Sequence, residues 1–232
     1  YFKKLNPDLV VVVAYGKIIP ENYLKFSKAL FINLHASLLP KWRGAAPIQR
    51  AIINGDKETG ISIMKIESGL DAGPYISQEK ILIDENSTTK TLSEKLSNIG
   101  AQAIIECLNN IIKKDVKFVN QDHNKSTYAK KISKEESKII WGDSSKKIVA
   151  KINAMNPSPV AWFKKENNRY KVWRAKISKE KGNIGEILDN NLTIGCLNGS
   201  IRIIEIQKEG KKRMITKQFL AGNKFLKGDI LN

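Results

Sequence analysis

The sequence predicts two structural units: an α/β domain with a mostly parallel sheet, then a small β-barrel or sandwich. Three observations carry this. Residues 9–14 form a continuous apolar, β-branched run, as expected of a parallel strand buried on both faces. Strand and helix signals then alternate as far as residue 112, the rhythm of an α/β domain. From Val160 onward the pattern changes to short apolar segments at close spacing, many separated by Gly, Asn and Asp.

Taken in order, Gly16 and Pro20 punctuate a loop after the first strand, and Pro20-Glu21 opens a short helix toward Phe26. Residues 30–35 read as a second strand. Pro47 suits the first turn of a helix running to about Ile53 and ended by Asn54-Gly55. Residues 61–66 and 75–83 read as strands. Residues 88–112 read as a helix with Leu92, Leu96, Ile99, Ala103 and Leu108 on one stripe. Residues 115–128 are polar and turn-rich, so the expected division is residues 1–128 and 129–232. In the second part, residues 133–154 read as helical with a break at Gly142-Asp143. Strands are expected at 161–163, 170–175, 184–188, 192–196 and 201–206.

Composition narrows the function classes. At 232 residues with 41% hydrophobic and 27% charged residues, the chain is typical of a folded globular protein. Its apolar runs are too short to span a bilayer, and no secretory signal is visible, so a cytoplasmic protein with no membrane partner is expected. Cys107 and Cys196 have no CxxC spacing and read as free buried thiols of a reducing compartment. With only His35 and His123 besides, no metal-ligand set is apparent and metal catalysis is not expected. The chain begins at Tyr1 almost directly before a strand, as if its natural beginning were missing.

The net charge is +17, from 34 Lys and 6 Arg against 23 acidic residues. A lysine-rich solvated surface and a polyanion-binding one are both compatible with that total. Its distribution is uneven: residues 1–128 carry 17 basic and 13 acidic side chains, net +4, whereas residues 129–232 carry 23 and 10, net +13. A field concentrated on one unit suits a nucleic-acid partner.

Two segments carry candidate chemistry. On an extended chain Asn33, His35 and Ser37 project to one side, at the carboxyl end of a strand where α/β proteins bind ligands. Three aligned polar side chains are costly in a core unless partnered. The second segment is Glu67-Ser68-Gly69-Leu70-Asp71-Ala72-Gly73-Pro74, a glycine-flanked aspartate after the strand at 61–66. By itself this could be an ordinary turn. Beside His35 it supplies a carboxylate able to orient an imidazole.

The run Asn33-Leu34-His35-Ala36-Ser37-Leu38-Leu39-Pro40-Lys41-Trp42-Arg43-Gly44-Ala45-Ala46-Pro47-Ile48-Gln49-Arg50 closely resembles the methionyl-tRNA formyltransferases. So do Gly60-Ile61-Ser62-Ile63-Met64, residues 69–73, the loop at 14–20, Asn156-Pro157-Ser158-Pro159 and residues 219–223. The similarity covers essentially the whole chain, apart from an N-terminal segment of the family that nothing here matches. It implies a Rossmann-like formyltransferase domain followed by an OB-like tRNA-binding domain. It also implies 10-formyltetrahydrofolate as co-substrate, initiator methionyl-tRNA as partner, and a monomer acting in translation initiation.

By that resemblance Asn33 hydrogen-bonds the formyl oxygen as it becomes an oxyanion. His35 assists proton transfer or, protonated, stabilises the oxyanion, and Asp71 holds His35 and helps relay the proton. Ser37, Leu38, Leu39 and Pro40 match the folate-contacting segment, while Tyr15, Gly16, Ile18, Gly69 and Leu70 would enclose the pterin. Arg43 either contacts the tRNA acceptor end or locks its own loop. Lys164, Lys165, Lys211, Lys212 and Arg213 are candidates for tRNA phosphates. Two other readings stay open: formylation of an amino sugar or small amine by the same trio, and a non-catalytic RNA-binding remnant.

Overall fold

The structure, a computed structural model, describes residues 2–26 and 28–231. It divides into two compact units, one holding residues 1–51, 56–84 and 91–131, the other residues 52–55, 85–90 and 132–232.

The first unit opens with the short helix α1 (Phe2–Leu5) and is built on a four-stranded sheet of order β1-β2-β4-β5, formed by β1 (Leu9–Val13), β2 (Leu30–His35), β4 (Glu58–Lys65) and β5 (Tyr75–Leu82). Helix α2 (Glu21–Phe26) lies in the crossover from β1 to β2, a connection long enough for the parallel pairing that those strands adopt. The sheet is mixed rather than mostly parallel, because β4 runs antiparallel to both β2 and β5. Alternating strand and helix signals cannot reveal strand direction; residues 66–74 simply turn β4 back as a hairpin into β5.

The two sheet faces differ in character. Ile32, Ile63 and Cys107 centre a cluster joined by Leu34, Ile76, Ala103, Ile104, Leu108 and Ile111, so α4 (Thr89–Ile112) packs on the Ile32/Leu34 face. Gly100 permits the approach: a Cβ there would stand 2.7 Å from Leu34 Cδ2. Alternation along β2 therefore sends Phe31, Asn33 and His35 to the opposite face. The first strand is not buried on both faces as its sequence suggests. It is the outer strand of this sheet, α4 reaches it at Leu9, and Val11 and Val13 remain exposed.

Residues 115–131 are more than a connection. Tyr75 and Val119 exchange backbone hydrogen bonds, and β6 (Tyr128–Ala129) pairs in parallel with β3 (Arg43–Gly44), which precedes α3 (Pro47–Asn54). The segment is thus woven across the loops that follow β2 and β4.

In the second unit, β7 (Ala161–Lys165), β8 (Asn168–Ser178), β10 (Ser200–Lys208) and β11 (Met214–Ile215) form an antiparallel sheet in the order β11-β10-β8-β7, with β9 (Thr193–Gly195) also on β10. A bulge near Ile203–Glu205 breaks the β8–β10 register, a device that bends a sheet toward a barrel. Phe163, Tyr170, Phe219 and Phe225 stack or meet edge to face inside it, and α5 (Ser145–Ala154) adds Ile148 and Ile152. Helix α6 (Thr216–Leu220) delivers Phe219.

Two expected elements differ here. Residues 133–144 hold only a single 3₁₀ turn (Glu135–Ser137), and Ile139 N–H donates to Trp162 O. Ile139 and Trp141 are buried while Ile140 is exposed, the period-two pattern of extended chain. The α-helix starts at Ser145, where the Ser144 hydroxyl accepts from Lys147 N–H as an N-cap. Residues 184–188 make only isolated bridges, Glu186 with Ile230 and Ile187 with Ile194.

Candidate active site

All three candidate catalytic residues lie in the first unit. Asn33 and His35 stand two apart on β2, on the face away from α4. Asp71 comes from the loop between β4 and β5 and has φ +46°, the left-handed region that non-glycine residues enter at a cost of order 1–3 kcal/mol. Gly73 shapes that loop, since a Cβ there would lie 2.1 Å from Lys65 O. The turn brings Asp71 Oδ2 to 3.6 Å from His35 Nδ1, with both side chains largely buried.

The hydrogen bonds define what the histidine can do. His35 Nε2 lies 2.9 Å from the carbonyl oxygen of Trp42. A carbonyl only accepts, so Nε2 carries the proton and donates. The neutral imidazole then has its lone pair on Nδ1, the nitrogen facing Asp71. Asp71 Oδ2 also accepts the Gly44 N–H at 2.8 Å. The imidazole can therefore take a proton at Nδ1 and hold it beside a carboxylate that is itself fixed by a backbone donor. Among the described residues the Asn33 carboxamide has no hydrogen-bond partner, which leaves its donors available on the same face.

The 37–40 turn is braced from beneath. Ser62 pairs with His35 across β2–β4 and with Gln78 across β4–β5, so the three form a row on the site face. The fully buried Ser62 hydroxyl donates to Ser37 O and accepts from Leu39 N–H, while Gln78 Nε2 donates to Leu39 O and Ser62 Oγ. Ser37 is itself buried, and its hydroxyl donates to Lys41 O at 2.6 Å. Ser37 and Leu39 accordingly form the body of the turn, and Leu38 and Pro40 are only partly buried. A lone hydroxyl between Ile61 and Ile63 was the sequence signal for Ser62; nothing local distinguished Gln78. Tyr15, Gly16, Ile18, Gly69 and Leu70 are all exposed on loops following β1 and β4.

Arg43 has the opposite character to a surface phosphate ligand. It is 3% exposed; its Nε and one terminal nitrogen donate to Gln121 Oε1 at 3.0 and 2.7 Å, and that nitrogen also donates to His123 Nδ1 at 3.2 Å. Of the two roles open to it, locking the loop is the one this burial fits.

In the second unit Lys164, Lys211, Lys212 and Arg213 are exposed. Two of the candidates are less available: Lys165 pairs with Asp229 at 2.7 Å and donates to Lys224 O, and Arg213 is bonded to the Glu205 carboxylate. Lys138, Lys164 and Lys165 line a depression of about 540 Å³ together with Glu166, Asp229 and Ile230. Arg169 lies over Trp162 (4.0 Å to the ring centroid) and Arg213 over Trp173 (4.7 Å). Strand alternation puts Trp162, Lys164, Arg169, Lys171 and Trp173 on the outer face of the β7–β8 ladder, opposite the buried Phe163, Tyr170 and Val172.

Cys107 and Cys196 are free and buried, and burial pushes the Cys196 thiol up to about 11. Among the described residues no three His, Cys, Asp or Glu side chains could hold a metal, and no helix is long and apolar enough to cross a membrane.

Comparison with known proteins gives this geometry a family. Residues 1–108 match the formyl transferase family and residues 131–224 match the formyl transferase C-terminal domain. The methionyl-tRNA formyltransferase of Pelagibacter ubique is 49% identical over 98% of this chain and 74% of its own length. That of Thermodesulfovibrio yellowstonii is 42% identical over 97% and 74%. Among solved structures, a methionyl-tRNA formyltransferase from Clostridium thermocellum superimposes with a TM-score of 0.63 at 22% identity, over 78% of this chain and 77% of that one. A sugar 3N-formyl transferase, WlaRD, does so with a TM-score of 0.69 at 25% identity, over 87% and 73%. With two domain matches in sequence and relatives above 40% identity that match nearly all of this chain, the chain belongs to the methionyl-tRNA formyltransferases.

Proposed function

We propose that this chain transfers the formyl group of 10-formyltetrahydrofolate to the amino group of methionine carried by initiator tRNA, through Asn33, His35 and Asp71. The observation that carries the reading is the His35–Asp71 pair beside a free Asn33 amide, on one sheet face next to the carboxyl ends of two parallel strands. The co-substrate supplies an electrophilic formyl carbon, whose oxygen gains negative charge when an amine attacks.

Each residue has a task set by its atoms. Asn33 donates from its side-chain nitrogen to the formyl oxygen, and this bond strengthens as charge develops. His35 accepts the amine's proton at Nδ1, since Nε2 is occupied by Trp42 O. Asp71 stabilises the resulting imidazolium and keeps the ring oriented until the proton passes to the departing folate nitrogen. The pair's burial strengthens these electrostatic terms relative to bulk water. Exposed Tyr15, Ile18 and Leu70 offer apolar surface, and Gly16, Gly69 and the 37–40 turn offer backbone groups, for an aromatic pterin.

The net +13 of residues 129–232 and the outer face bearing Lys164, Arg169 and Lys171 support tRNA as the amine's carrier. Exposed Lys211 and Lys212 extend that basic surface, and Lys165 and Arg213 take part only by releasing Asp229 and Glu205. An amino-sugar substrate would leave this charge without a role. In this reading the chain acts as a cytoplasmic monomer, with the OB-like unit beginning near residue 129 as the RNA-holding part.

The test is formyl transfer to charged initiator Met-tRNA by the full chain, Asn33→Ala and His35→Ala. Loss of one oxyanion donor is expected to lower kcat by roughly 10²–10³-fold. Undiminished transfer by both variants would falsify the assignment.

A further inference from the structure

Of three consecutive residues, the outer two each contact one member of the proposed catalytic pair and the middle one reaches it through another side chain. Trp42 provides the carbonyl that fixes His35 Nε2, Gly44 provides the N–H that fixes the Asp71 carboxylate, and the Arg43 side chain between them holds Gln121. Gln121 Nε2 then donates to Asp71 O at 2.9 Å and to Gly73 O at 2.6 Å. Trp42, like Asp71, has a positive φ, at +59°. Both ends of the His35–Asp71 contact are therefore built on backbone that must be held in place.

Gln121 is 5% exposed and makes four hydrogen bonds, two as donor and two as acceptor. That is the full capacity of a carboxamide. The chemistry asks for Gln in particular. Glutamate would accept from Arg43 but would turn a carboxylate toward two carbonyl oxygens. An apolar side chain would satisfy neither side, leaving the guanidinium with His123 alone. Arg43 has no carboxylate partner among the described residues, so these neutral acceptors are what its buried charge rests on.

We infer that Gln121 is a positioning residue for the formyl-transfer reaction: clamped by Arg43, it holds the Asp71 loop so that the Asp71 carboxylate stays against His35 Nδ1. The inference rests on the proposed roles of His35 and Asp71. It assigns a task to a segment that sequence alone presents as a connection. It also explains why a buried arginine stands between two residues whose backbone groups touch the site. Gln121 does not touch the reacting atoms; it acts through Asp71.

The experiment compares Gln121→Met, Gln121→Glu, Asp71→Asn and the two double variants in the full chain, after confirming cooperative melting for each. Each Gln121 variant is expected to lower kcat roughly 10²-fold, the cost of misplacing a catalytic group by about 1 Å, with KM for both substrates unchanged. Added to Asp71→Asn, neither should cost anything further, because the residue they position is already disabled. A second full loss in the double variants, or a rise in KM with kcat intact, overturns the inference. A readout independent of turnover is the Gly44 amide resonance, which senses the Asp71 carboxylate directly. It should move in both Gln121 variants in the direction set by an added Asp71→Ala reference variant, which lacks the acceptor altogether, and an unmoved resonance also overturns the inference. Absent transfer by the parent chain, or an Asp71→Asn variant as active as the parent, counts against the catalytic assignment instead; the Gly44 resonance still decides the Gln121 link.

Discussion

Trp42 and Asp71 share an uncommon backbone conformation, and each presents one oxygen to a ring nitrogen of His35, Trp42 O to Nε2 and Asp71 Oδ2 to Nδ1. The strain is offset by the hydrogen bonds that converge on the same short stretch, the usual arrangement where geometry matters more than local comfort. A comparable concentration of donors occurs in the second unit at Asp189. Burial pushes its carboxyl up, but N–H groups of Thr193 and Asn191, the Thr193 hydroxyl and the Arg202 guanidinium together outweigh that and hold it below the ordinary carboxylate range. A lowered folded-state value means stability that is present above the unfolded-state value near pH 4 and is lost as pH falls through the folded one. Asp189→Asn should therefore melt lower than the parent at pH 7, by roughly 1–3 kcal/mol of stability. Thermal melts at stepwise lower pH should show the gap closing below about pH 4. A gap independent of pH would mean that the carboxylate charge is not what stabilises the turn.

At the scale of elements, the decisive contact is α4 against β2. It assigns the Ile32/Leu34 face to the core and so leaves Asn33 and His35 on the face that can meet a ligand. Gly100 sits where the helix crosses Leu34, and two effects compete on substitution. Alanine gains about 1 kcal/mol of helix propensity over glycine, whereas overpacking costs about 1–3 kcal/mol. Because the added Cβ would fall 2.7 Å from Leu34 Cδ2, overpacking should win. Gly100→Ala is expected to lower the urea midpoint, and Gly100→Ala with Leu34→Val to recover part of the loss. A higher midpoint for Gly100→Ala alone would show that Leu34 turns aside freely.

For the whole molecule the governing quantity is the uneven charge, +4 on residues 1–128 and +13 on residues 129–232. Phosphate neutralisation releases counterions, so affinity for tRNA should fall linearly on a log–log plot against salt. Replacing exposed Lys164, Lys211 or Lys212 by alanine should each reduce that slope by about one, without changing formyl transfer at saturating tRNA. Slopes equal to the parent's would place the RNA contacts elsewhere on the surface.

How much was legible in the sequence follows from which forces act locally. Asn33 and His35 were readable because strand alternation is a two-residue rule and polar side chains in an apolar run stand out. Asp71 was readable as a turn, but its meeting with His35 was supplied by resemblance to a family. Most short strands of the second unit and the course of α4 follow from patterns within ten or twenty residues. Strand direction in β4 and β5, the extended path of residues 138–141, and the burial of Arg43 were not accessible in this way. Each depends on partners 20–80 positions away, such as Ile63 for Leu34, Trp162 for Ile139 and Gln121 for Arg43.

Periodicity, motif and charge are carried by the chain in order, so the two-unit architecture, the family, the Asn33–His35 pair and the basic second unit are legible without any contact. Which imidazole nitrogen faces Asp71, the role of Arg43 as a buried clamp, and the reach of Gln121 to the Asp71 loop emerge only in the fold. Those outcomes depend on hydrogen-bond geometry between distant segments, and no local pattern encodes where a buried donor will find its acceptor.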